Sequence, residues 1–205
     1  MMTDHDNTVD AAPMPAAPMS ADVVSWQPPR YWRCDTLTSG HELPPLFALV
    51  GAAGGVGTTT LARMWGPAAD SETRWPAHPE TTQWCVLVAR LSMAGIDDAA
   101  ARLRDDVRPE GLDVFGIVWT PPRPGRIPKE VHRYASTVGE LVDHCWRVAW
   151  IEDLMLARRD ALAPWLPGSL PDSKHTDLAA GPPLAVCTTG ADIVDTVTHR
   201  YRRTT

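Results

Sequence analysis

Leu46-Phe47-Ala48-Leu49-Val50-Gly51-Ala52-Ala53-Gly54-Gly55-Val56-Gly57-Thr58-Thr59-Thr60-Leu61-Ala62 is the stretch on which the reading of this chain turns. An apolar run enters a turn carrying Gly51, Gly54, Gly55 and Gly57, and the turn enters three threonines. A short, fully apolar run closed by glycine predicts a buried strand over residues 46–50. Threonine favours helix starts, so a short helix is expected over residues 59–65, stopped by Gly66-Pro67. Strand, glycine turn and helix in that order set the backbone N–H groups of residues 54–60 at a helix N-terminus. That arrangement cradles phosphates.

The alternation continues downstream. Residues 84–89, 112–119 and 146–151 are apolar runs, and residues 96–104, 129–142 and 154–162 between and after them have helical character. The strands are apolar throughout rather than alternating with polar residues, which argues for a parallel sheet covered on both faces. The expected fold class is therefore α/β, a parallel sheet flanked by helices. Residues 67–82 and the proline-rich 121–128 read as loops. Three regions follow. Residues 1–42 form an N-terminal arm, residues 43–165 the α/β domain, and residues 166–205 a Pro/Gly linker with a possible strand at 184–187 and helix at 192–203. Residues 1–25 have almost no aromatic or branched apolar side chains and are expected to be disordered. The segment from Trp26 to Trp32, stiffened by Pro28-Pro29, either clips back onto the domain or docks a partner.

Ala53-Gly54-Gly55-Val56-Gly57-Thr58-Thr59-Thr60 resembles the deviant Walker A motif of the ParA/MinD family of ATPases, which reads Lys-Gly-Gly-Val-Gly-Lys-Thr-Thr. The resemblance extends over about residues 46–152 and is motif-like mainly in the loop. It implies a P-loop NTPase-like fold, reduced in size. It also implies phosphate contacts from Gly54, Gly55, Val56, Gly57, Thr58, Thr59 and Thr60, with Thr59 as the Mg²⁺ ligand. The chain is similar, too, to an actinobacterial group of small degenerate P-loop proteins often encoded on plasmids and integrative elements. That likeness implies a role in plasmid maintenance or conjugative transfer.

The departures from the motif bear on activity. Ala53 replaces the signature lysine and Thr58 the phosphate-binding lysine. Losing one charge-assisted contact costs roughly 1.5–3 kcal/mol of binding, on the order of ten- to hundredfold in affinity. Hydrolysis suffers more, because these groups stabilise transition-state charge. Residues 67–82 hold no apolar run ending in Asp, so a Walker B segment is missing from the expected place. Thr120 stands where the resemblance puts a base-reading asparagine. Two residues are candidate substitutes. Arg90, closing the run 84–89, can supply positive charge on the side where open α/β sheets bind ligands. Asp153, following the run 148–151, can serve as a displaced metal-binding acid or cap the next helix. The expectation is weak or vestigial binding of ATP–Mg²⁺ without efficient hydrolysis, the chain acting as a regulatory or partner-binding protein. Binding of no ligand is equally consistent with these residues.

Two further readings belong to other classes. Gly51-Ala52-Ala53-Gly54-Gly55-Val56-Gly57 is similar to the dinucleotide loop of zinc-independent quinone reductases, with Arg90 then contacting an NADP 2′-phosphate. Against it stands a gap of about seventeen residues from the helix end to the next expected strand, where such units use about 2–6. The other reading is an adaptor without ligand, presenting Trp26 to Trp32 and the basic tail around Arg200, Arg202 and Arg203 to another protein.

Length and charge bound these readings. A chain of 205 residues allows one domain with tails. With Lys+Arg 19 against Asp+Glu 25, bulk charge gives no push toward nucleic acid. No apolar run approaches the roughly 20 residues that span a bilayer, and the acidic N-terminus has no signal-peptide core, so a cytoplasmic location is expected. Cys34, Cys85, Cys145 and Cys187 form no CxxC pair. Cys85 and Cys145 read as small core residues, and Trp84, Trp119, Trp146 and Trp150, in or at the ends of the expected strands, read as large core residues. Asp143-His144-Cys145 does not read as a triad, since adjacent residues point in different directions.

Overall fold

The computed structural model describes residues 28–40, 44–172 and 177–204. Its elements are β1 (Trp32–Arg33), β2 (Phe47–Gly51), α1 (Thr58–Met64), β3 (Ala68–Asp70), β4 (Trp75–Pro76), β5 (Trp84–Arg90), α2 (Met93–Leu103), β6 (Asp113–Thr120), α3 (Lys129–Gly139), β7 (His144–Arg147) and α4 (Leu184–Thr204). Short 3-10 turns lie at Glu152–Met155 and Arg159–Ala161. Five strands form one sheet in the order β3-β2-β5-β6-β7, every pair parallel. The α/β class expected from the sequence is the one observed, in a form consistent with a P-loop NTPase-like or a Rossmann-like fold.

Burial on both faces explains why the strands carry no polar alternation. Ala48, Val50, Leu87 and Ile117 face α2 and α3, meeting Ile96, Ala99, Ala135 and Val138. Phe47, Leu49, Val86, Val88 and Val118 face α1 and α4, meeting Leu61, Met64, Val186 and Ile193. The ladder between β5 and β6 slips once: Cys85 pairs with Val114, but Val86 pairs with Gly116. A β-bulge at Phe115 absorbs the extra residue. Gly116 is required there, because a Cβ would collide with the Trp146 ring.

The chain leaves β2, forms α1 and β3 on one side, then crosses to β5 on the other. The topological switch therefore lies between β2 and β5. Ligands of open α/β sheets bind at the carboxyl ends of the strands flanking such a switch. Here those ends are Gly51 and Arg90.

Several expectations are corrected. The stretch 67–82 is not all loop: Ala68–Asp70 pairs with β2, and Trp75–Pro76 pairs in parallel with Trp32–Arg33. Strands this short give no periodic signal; backbone pairing and the fully buried Trp75 hold them. The last strand is His144–Arg147, earlier than 146–151, because beyond Arg147 only Val148 still bonds to β6. Its outer edge is unpaired within the sheet, and Cys145 is exposed rather than core. Residues 154–162 form 3-10 turns instead of a helix; Leu156 is 91% exposed, so no apolar stripe exists to pack one. Residues 184–187 open α4 rather than forming an edge strand.

Both flanks of the domain contribute to it. Residues 28–40 pack against it, with Leu37 buried and the Trp32 indole donating to the carbonyl of Val107. Arg33 donates to the Asp70 carbonyl at 2.8 Å. For Trp32 the clip-back reading is the one observed; Trp26 lies outside the described residues. Trp65 Nε1, just past α1, donates to the carbonyl of Val186 in α4 at 2.9 Å, and Arg200 of α4 pairs with Asp113 at 2.8 Å and with Asp143.

Candidate functional site

Gly51 closes β2, Gly57 is the N-cap of α1, and the glycine loop lies between them. Gly55 has φ 74° and Gly57 φ 100°, left-handed conformations that strain any other residue. Gly51 is required for a different reason: a Cβ there would lie 2.9 Å from Thr58 Oγ1 and 3.0 Å from the Ala53 carbonyl. Strand end, loop start and helix start are thus in contact. Leu61 N donates to Gly57 O at 3.0 Å as the first helical bond. The amides of Thr58, Thr59 and Thr60 precede it and have no intrahelical acceptor. Thr58 is only 7% exposed, and its hydroxyl packs against Gly51 at the base of the loop.

Two side chains from neighbouring strands tie the loop down. The Arg90 guanidinium donates to the Gly55 carbonyl. The Thr120 hydroxyl lies 2.9 Å from the Val56 carbonyl and 3.3 Å from that of Ala89, its one proton shared between them. β-Strand ends do the positioning: Arg90 and Thr120 are register partners on β5 and β6.

A cavity of about 290 Å³ opens beside the loop. Gly55, Gly57, Thr60, Arg90 and Thr120 form its polar side; Val148, Trp150, Ile151, Leu154 and Met155 form its apolar side. Arg90 is the one titratable side chain among the lining residues. The cavity can hold an anion against a fixed positive charge, but among the described residues its lining offers no carboxylate or imidazole to move a proton.

No protein-family model, curated protein or solved structure matches this chain.

The residues singled out in the sequence are only partly brought together. Gly55, Val56, Gly57, Thr60, Arg90 and Thr120 line one cavity. Gly54 is exposed at the loop tip. Thr59 lines a second cavity, of about 400 Å³, together with Thr38, Arg63 and Asp70. Asp153 is exposed on a 3-10 turn, where its carbonyl accepts from Leu156 N and Ala157 N, and it lines neither cavity. Among the described residues no three His, Cys, Asp or Glu side chains are placed to hold a metal ion.

Asp70 was missed in the sequence. It ends β3 beside β2, in register with Leu49, and its Oδ1 accepts from Glu72 N at 2.8 Å. A strand of two alanines has no pattern to detect. The usable signal was topological: a strand–helix–strand unit returns within a few residues of the helix end, and Ala68-Ala69-Asp70 is the first segment after Gly66-Pro67 that could do so.

Proposed function

We propose that this chain is a degenerate P-loop protein that binds the phosphates of a nucleotide, ATP–Mg²⁺ in the first instance, over the glycine loop. Binding is weak, hydrolysis is inefficient, and the protein acts in a regulatory or partner-binding role. The observation that carries this reading is the Arg90 guanidinium seated on the Gly55 carbonyl at the mouth of the cavity. It brings to the loop a positive charge of the kind missing at Ala53 and Thr58. The lack of a proton-transfer group in the lining supports binding without turnover.

Asp70 favours a second reading, a dinucleotide site. β3 follows α1 closely, which removes the long gap that spoke against it, and an acid ending the second strand is the residue type that takes a ribose hydroxyl in dinucleotide sites. Such an acid favours NAD over NADP. Against this reading, the third glycine of a dinucleotide loop serves close helix–strand packing, whereas Gly57 here stands outside α1 as its N-cap, in a left-handed turn.

Isothermal titration with ATP–Mg²⁺, GTP–Mg²⁺, NAD⁺ and NADPH separates the readings. The expected result is saturable heat with ATP–Mg²⁺ in the submillimolar to millimolar range and no phosphate release above background. Heat with NAD⁺ alone selects the dinucleotide reading. No heat from any of them at millimolar concentration overturns both and leaves the adaptor.

A further inference from the structure

Resting on the nucleotide reading above, we infer that the site recognises the polyphosphate and the presence of a ring, but not which purine the ring belongs to. Telling adenine from guanine takes hydrogen-bonding groups aimed at the base edge. Sites built that way discriminate strongly, whereas apolar walls do not.

Of the cavity's polar side chains, Thr60 stands in the first turn of α1, on the phosphate side; the other three already have partners. The Thr120 hydroxyl is committed to the carbonyls of Val56 and Ala89. Trp150 Nε1 donates to Glu152 Oε2 at 2.9 Å. Arg90 is held at the loop by Gly55. Pro121, next along the wall, has no N–H to offer. Among the described residues, the side chains that line the cavity away from the loop are apolar: Val148, Ala149, the Trp150 ring, Ile151, Leu154 and Met155. The cavity, about 290 Å³, is also just below the roughly 300–1,000 Å³ usual for ligand sites. It encloses part of a nucleotide rather than all of it. The phosphates then dominate affinity, and the ring contributes through contact with Trp150 and the aliphatic wall.

The test is titration of the full chain with ATP, GTP and tripolyphosphate, each with Mg²⁺. ATP and GTP are expected to bind within about threefold of each other and tripolyphosphate within roughly tenfold of both, a spread of no more than about 1.4 kcal/mol. A preference of tenfold or more between ATP and GTP overturns this inference while leaving the nucleotide reading standing. No binding by any of the three overturns the nucleotide reading itself. Trp150→Ala is the second measurement. It should weaken ATP and GTP alike, by roughly fivefold, the lower end of the scale of base–aromatic stacking, and leave tripolyphosphate unchanged. Unequal weakening of the two nucleotides overturns the inference, and retained tripolyphosphate binding reports that the variant is folded.

Discussion

The guanidinium of Arg90, the last residue of β5, donates to the carbonyl oxygen of Gly55 in the glycine loop that follows β2. The contact spans the topological switch between these two strands. A loop without its own lysine thereby holds a cation by its backbone. Replacing Arg90 with Ala removes that cation, so ATP–Mg²⁺ affinity should fall at least tenfold, the lower end of the roughly 1.5–3 kcal/mol of a charge-assisted contact. Losing this tie to the loop should also lower stability, by about 0.5–1.5 kcal/mol, the net worth of one hydrogen bond. Titration calorimetry and urea unfolding measure the two. Unchanged affinity would place the phosphates somewhere other than this loop.

Thr120→Val tests the second tie. Valine keeps the shape but removes the hydroxyl that reaches the carbonyls of Val56 and Ala89, and Val56 is almost fully buried. A buried acceptor left without its donor costs about 1–3 kcal/mol. Urea unfolding should show a loss within that range, with the slope of the transition unchanged. No loss would mean that the loop is held by Arg90 and packing alone.

The parts of the fold legible in the sequence are those where burial on both faces leaves long apolar runs. β5 and β6 are such strands; they carry Arg90, which stood out by its place at a strand end, and Thr120, which stood out through the family resemblance. β3 escaped because Ala68-Ala69 is too short to show a period, and with it Asp70. α4 reads as a broken pattern, since Thr188-Thr189-Gly190 interrupts its helix formers; packing on Trp65 and Trp165 overrides that propensity. The apolar wall from Val148 to Met155 was not legible either. Its shape comes from an extended segment and a 3-10 turn that only the finished sheet edge positions.

Gly190→Ala pits that propensity against packing. In an open helix the substitution would stabilise by about 1 kcal/mol. Here a Cβ would lie 2.7 Å from Trp65 Cδ1, 2.8 Å from Trp65 Nε1 and 3.0 Å from Trp165 Cζ3. Overpacking of a core costs about 1–3 kcal/mol, so the net sign should be destabilising. A shift in the urea midpoint, followed by tryptophan fluorescence, reads it. A stabilised variant would show that α4 can slide away from Trp65 without penalty.

Glu72 is the one described non-glycine residue with positive φ, at 56°, and its carbonyl accepts from Gly51 N at 2.6 Å. The turn after β3 thus holds the start of the glycine loop in a conformation β-branched residues resist. Glu72→Val should destabilise by about 1–3 kcal/mol, the cost of a strained backbone site. Glu72→Gly relieves the strain while adding unfolded-state entropy worth about 0.4–1 kcal/mol, so its stability should stay close to that of the parent chain. Equal thermal midpoints for the valine and glycine variants would contradict this account of the turn.

Thr58→Lys asks whether the loop keeps the geometry its sequence suggests. The Thr58 hydroxyl lies 2.9 Å from where a Cβ on Gly51 would sit, so the lysine stem must leave this packed corner and extend along the loop. If the loop is a phosphate cradle, the added ammonium meets the phosphates, and affinity for ATP–Mg²⁺ should rise by roughly tenfold or more, as expected of one charge-assisted contact. Combining it with Arg90→Ala should bring affinity back toward that of the parent chain, since one cation then replaces another. The urea midpoint of the single variant controls for folding. A folded Thr58→Lys protein with unchanged nucleotide affinity would mean that residue 58 does not face bound phosphate. That result would sink the P-loop reading.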